Sequence, residues 1–153
     1  MLKYRFSELV DIEELQKLMD LFQEATLGIA SAVIEPDGTI LVASGWQAAC
    51  TQFHRANAET ERRCLESDAY INARLEDRGR EEDYIVYRCK NGLYDLAVPI
   101  IVQGEHLCSI FTGQLFFEDD KPDEAFFRQQ AEKFGFDVDA YLEAIDQVPV
   151  HTR

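Results

Sequence analysis

The sequence predicts an α+β domain built on one five-stranded antiparallel sheet, with a helical insertion between the second and third strands and helices at both ends. Three observations carry this expectation. Apolar residues recur at helical spacing near the start, and short apolar runs separated by Gly- and Pro-containing turns then follow in two groups. A polar stretch without strand signals, roughly thirty residues long, divides those groups. The chain has 153 residues, 46% hydrophobic and 11% aromatic, which is too apolar for disorder and sufficient for one sizeable core.

Asp11-Ile12-Glu13-Glu14 has the form of a capping box, Asp11 accepting from a first-turn N–H and Glu14 reaching back. After it Ile12, Leu15, Leu18, Met19 and Phe22 recur at three- and four-residue steps, an amphipathic helix of about four turns ending near Gly28. Residues 29–35 and 39–44 flank Pro36-Asp37-Gly38, whose Pro and Gly set a tight turn, so a β-hairpin follows. From Gln47 to about Gly79 the reading is two helical pieces, 48–54 and 59–76. Strands return at 83–89, 93–102 and 107–116, with turns at Lys90-Asn91-Gly92 and Gln103-Gly104. Residues 122–135 and 137–146 read as short helices, the second capped by Asp137. Val148-Pro149-Val150 reads as the beginning of a linker, so one domain over 1–153 is expected to be the input part of a longer regulator. This order of elements is similar to that of PAS- and GAF-like sensory domains.

Charge narrows the function classes. Lys and Arg number 15 against 29 Asp and Glu, a formal net charge of −14 at pH 7. Such a balance argues against a nucleic-acid surface, which needs cations on phosphates, and against docking on an anionic membrane. The longest apolar run, 96–102, is seven residues and contains Pro99, far short of the ~20 a membrane helix needs. The first eight residues lack the apolar stretch of a secretory signal, so the cytoplasm is the expected compartment, where thiols stay reduced. Residues 117–146 carry ten acids and three bases, half of the net charge, and read as solvated helix faces.

The chemistry-bearing residues centre on the insertion. Cys50 and His54 stand at i and i+4, about 40° apart around a helix, and can converge on one ion. With Cys64 and Cys89 they make three thiols and one imidazole, a set soft enough for zinc or an iron centre. The spacing lacks a CxxC pair, and buried core cysteines or a redox role explain the same residues. Cys108 lies on a strand of mixed alternation and is read as core. No GxSxG, HExxH, P-loop or GxGxxG pattern occurs, and Cys50–His54 has no evident oxyanion partner, so no catalysis is expected. Ser67-Asp68 reads as a helix-surface or capping pair. Among the surrounding aromatics, Trp46, Phe53, Tyr87 and Tyr94, together with Gln114, are the candidate contacts of a small ligand.

Taken together, Trp46…Cys50-x-x-Phe53-His54, Cys64-x-x-Ser67-Asp68, Tyr87-x-Cys89-x-x-Gly92-Leu93, Pro99-Ile100 and Gly113-Gln114 resemble the sensory domain named after the PocR regulator. The resemblance covers nearly the whole chain. It implies a PAS-like domain that senses small hydrocarbon derivatives such as propanediols and controls an output module in the same chain, such as a helix-turn-helix regulator, histidine kinase or diguanylate cyclase. The resemblance marks the positions of Cys50, Cys64 and Cys89, and His54 is the fourth candidate of the set. The expected function is therefore binding of a small organic molecule between the sheet and the insertion. The alternative is a Cys/His metal or redox sensor, and a homodimer through the first helix stays open.

Overall fold

The computed structural model describes residues 4–78 and 84–153; Gly79 and Asp83, predicted limits of the insertion and of the third strand, lie outside them. The chain opens with the single turn α1 (Phe6–Leu9) and continues into α2 (Ile12–Ala25). Asp11 caps α2 as expected, accepting from the N–H groups of Glu13 and Glu14 at 3.0 and 3.1 Å. Glu14 does not reach back; it pairs with Lys17 at 2.6 Å, one turn on. The hairpin follows as β1 (Ala30–Ile34) and β2 (Ile40–Ser44), turning at Gly38 with φ of 89°.

The insertion holds a π-helical segment, Ala49–His54, and the long α3 (Ala58–Arg78). The first of these is predicted as helix, but its closure is one residue wider, with Arg55 N–H donating to Cys50 O at 2.8 Å. The remaining strands are β3 (Ile85–Arg88), β4 (Tyr94–Val102) and β5 (Glu105–Phe117). The five strands form an antiparallel sheet in the order β2-β1-β5-β4-β3. After β5 come α4 (Glu124–Phe134) and α5 (Val138–Asp146), capped by Asp123 and Asp137. The expected linker instead forms β6 (Val150–His151), parallel to the end of β5. Phe116 N–H donates to Pro149 O at 2.8 Å, and Val148 is buried.

Strand alternation, interrupted by the irregularity that leaves Leu107 extra between the pairs Ile100–Cys108 and Ile101–His106, sorts the core into separate layers. On one face of the sheet Val33, Val42, Leu107 and Cys108 meet Phe6 and Met19 of the N-terminal helices. On the other face Ala32, Ile34, Ala97 and Phe111 meet Ile71 and Leu75 of α3. A third cluster packs α4 and α5 against the π-helical segment through Phe116, Phe127 and Tyr141, each fully buried and worth ~1.5–3 kcal/mol in apolar transfer. The helix α2 is fastened to the free edge of β2: Gln16 bonds both the C=O and the N–H of Ala43, and Ser44 Oγ donates to Asp20 at 2.6 Å.

Candidate functional site

The sheet face beneath the insertion is interrupted where β5 carries one residue too many. Tyr94 pairs with Leu115 but Asp95 pairs with Gly113, which leaves Gln114 as the bulged residue. Gly113 is at φ 148°, and a Cβ there would stand 2.7 Å from both Asp95 Cα and Tyr94 O. Gln114 holds φ 52°, left-handed and costing on the order of 1–3 kcal/mol for a side-chain-bearing residue. This strain aims the residue. Its N–H donates to Asp95 Oδ1 at 3.0 Å, and its Oε1 accepts from the N–H of Gln47 at 2.6 Å, tying the sheet to the insertion.

The insertion supplies the opposite wall. Trp46 Nε1 donates to Ser31 O at 3.0 Å, and the Arg55 guanidinium lies 4.8 Å from the centre of the indole ring. Arg55 donates to Asp68 Oδ2 at 3.0 Å, and their side chains are only 18% and 14% exposed. Trp46, Arg55, Asp68, Asp95, Phe111 and Gln114 line a cavity of about 30 Å³ between the sheet and the insertion, room for ordered water.

Of the two carboxyls in this space, Asp68 pairs with the Arg55 guanidinium, while Asp95 accepts from the Gln114 N–H. Burial pushes the Asp95 carboxyl up to about 7, with the charge of Asp68 adding to the effect and the Gln114 N–H opposing it. Asp68 is also raised by burial, which outweighs its pairing with Arg55. At neutral pH the cavity thus presents a guanidinium donor, a carboxyl close to its titration point and a carboxamide, against aromatic walls.

Of the residues the sequence singles out for ligand contact, Trp46 and Gln114 line this cavity. Tyr87 stands behind it, edge-on to Phe111 at 6.4 Å, with a buried hydroxyl that makes no hydrogen bond among the described residues. Phe53 is elsewhere, packed against Phe136 and Tyr141 in the α4–α5 core because the π-helical segment turns it to that side. Tyr94 is also elsewhere, its hydroxyl donating to Asp120 and its ring on Phe117. Of the other aromatics near the insertion, Tyr70 and Tyr84 are exposed.

The expected zinc or iron set is not assembled. Among the described residues no group of three or more His, Cys, Asp or Glu side chains is placed to hold a metal ion. His54 is held in another network: its Nε2 bonds Tyr141 Oη at 2.7 Å, and Gln130 Nε2 donates to the same oxygen at 2.6 Å. Cys64 Sγ accepts from Asn91 Nδ2 at 3.1 Å. Burial raises the Cys50 and Cys64 thiols and pushes Cys89 up to about 12, with the charge of Asp95 contributing in all three, so the neutral thiol is favoured. Cys108 is fully buried in the N-terminal core, in line with its reading as a core residue.

Sequence reasoning misses Arg55, Asp68 and Asp95 as site residues. Asp68, expected on a helix surface or as a cap, turns inward to Arg55, while the neighbouring Ser67 Oγ donates to Arg63 O. The signal that can find Asp95 is a carboxylate between Tyr94 and Leu96 in an otherwise apolar strand, followed in β5 by an interior glycine. The family described as "Sensory domain found in PocR" matches residues 8–153. No curated protein and no solved structure matches the chain.

Proposed function

The chain belongs to the family of sensory domains found in PocR, and from that premise we propose that it binds a small polyhydroxylated molecule in the cavity between sheet and insertion. The observation that carries this reading is the Gly113–Gln114 bulge, which spends backbone strain to bring one carboxamide and one carboxyl together opposite Trp46 and Arg55. A diol has two hydroxyls that donate to Asp95 or Gln114 and accept from Arg55, and a short hydrocarbon body that suits Trp46 and Phe111. Such a ligand is larger than the cavity and enters by parting the insertion from the sheet at the Gln114–Gln47 bond. Ligand binding therefore favours a second arrangement of the insertion, and a coupling of ~1–3 kcal/mol is enough to bias an output module in the same chain. The reading is of a cytoplasmic input domain that binds its signal and carries out no reaction of its own.

The test is a thermal-shift series with 1,2-propanediol, 1,2-ethanediol and glycerol on the chain and on Trp46→Ala. A rise in Tm with at least one diol, lost in Trp46→Ala, is the expected result; equal responses of the two proteins, or none, would overturn the reading.

A further inference from the structure

The opposite face of the sheet carries a second, larger cavity, of about 450 Å³, between the N-terminal helices and strands β1, β4 and β5. Its existence follows from how α2 is fastened. Gln16 and Asp20 hold the helix to β2 at the sheet edge, so the central strands beside it are left partly uncovered. Leu18 and Phe22 form one wall, 63% and 52% exposed, and Val33 and Ile110 form the floor. Of the described side chains that line this space, none is charged.

One polar group faces into it without use. Ser31 alternates with Ala32 and so shares the face of Val33. It is 4% exposed, and its Oγ makes no hydrogen bond among the described residues. The hydroxyl of its cross-strand neighbour Thr112 is already committed to Ala30 O at 3.1 Å. A buried hydroxyl left unpaired is costly, and a ligand oxygen at this point relieves the cost.

We infer that this cavity is a second ligand site, for a neutral amphiphile with an alkyl or aryl body and one hydroxyl or carbonyl group. At roughly 30 Å³ per heavy atom, the share a water molecule takes in the liquid, it accommodates on the order of ten to fifteen heavy atoms. Charge selects against the other occupants. The helix α2 carries Glu13, Glu14, Asp20 and Glu24 against Lys17, so an anionic head group or the same helix of a second copy meets like charge. The site lies behind the first: the side chain of Ser31 floors this cavity, while its carbonyl accepts from Trp46 in the other.

The experiment titrates 1-octanol into the 153-residue chain and follows the fluorescence of Trp46, its single tryptophan, together with calorimetry. Saturable binding of one octanol per chain is expected, weakened about fivefold in Ser31→Ala, the worth of one hydrogen bond, and at least tenfold for octanoate. Leu18→Glu, at an exposed position that leaves the fold intact by circular dichroism, abolishes binding. Non-saturable octanol response, equal binding by Leu18→Glu, or a dimer that Leu18→Glu dissociates in the absence of octanol binding would overturn the inference. The 1,2-propanediol response should persist in Leu18→Glu, which separates failure here from failure of the diol reading.

Discussion

Asp95 and His54 set opposite pH dependences on the same fold. Asp95 is raised by burial to about 7, so it contributes most below the ordinary carboxylate pKa, and that contribution is lost as pH rises through about 7. His54 is lowered from 6.5 to about 4, first by burial and then by Arg63 and Arg55, so its contribution is present above 6.5 and lost as pH falls through about 4. Between these limits the two trends oppose each other. Asp95→Asn keeps an acceptor for Gln114 N–H and removes the ionisation. The expected outcome in urea unfolding is a variant more stable than the parent by a margin that grows from pH 4 to pH 8, reaching at most about 4 kcal/mol. A constant margin across that range contradicts the placement of Asp95 in a water-poor site. Little of this was legible beforehand, because a carboxylate's environment is made by residues distant in sequence: Asp68, Cys50 and Arg55 reach Asp95 only after the insertion folds over the sheet.

At the scale of elements, the bulge in β5 is the feature on which the site depends. Gly113→Ala puts a Cβ against the backbone of Tyr94 and Asp95 in a region of φ that L side chains avoid, and a loss of at least about 2 kcal/mol in urea unfolding is expected. Gln114→Gly relieves the left-handed strain but deletes the acceptor for Gln47 N–H. Its stability should stay within about 1 kcal/mol of the parent while the diol-induced thermal shift disappears; a retained shift would show that Gln114 is only a spacer. Strands and helices were readable because periods of 2 and 3.6 residues are local properties, and α2 carries its period plainly. The π-helical closure at Arg55 has no such period. The short strand at Val150 was hidden because Pro149 enters the pairing through its carbonyl alone, which leaves a sequence indistinguishable from a linker.

Across the whole molecule, the sheet separates two unlike environments. Beneath the insertion lies a small polar cavity with paired and unpaired carboxyls; beneath α2 lies a larger space whose walls are almost wholly apolar. Strand β1 belongs to both, with Ser31 exposing its hydroxyl to one and its carbonyl to the other. The net charge of −14 is drawn mainly from α2 and the C-terminal helices, a distribution visible in the sequence because each run is contiguous. The cysteines were legible as candidates but not in their role: Cys64 accepts from Asn91, His54 is held by Tyr141 and Gln130, and burial keeps the Cys50, Cys64 and Cys89 thiols neutral. The proposed role of the polar cavity is to receive the signal. Its most direct measurement is a 1,2-propanediol titration followed by the NMR resonances of the Trp46 indole N–H and the Gln114 backbone and side-chain amides. Saturable shifts concentrated at these groups and at Gln47 are predicted; shifts that are absent, or small and uniform over the chain, would contradict it.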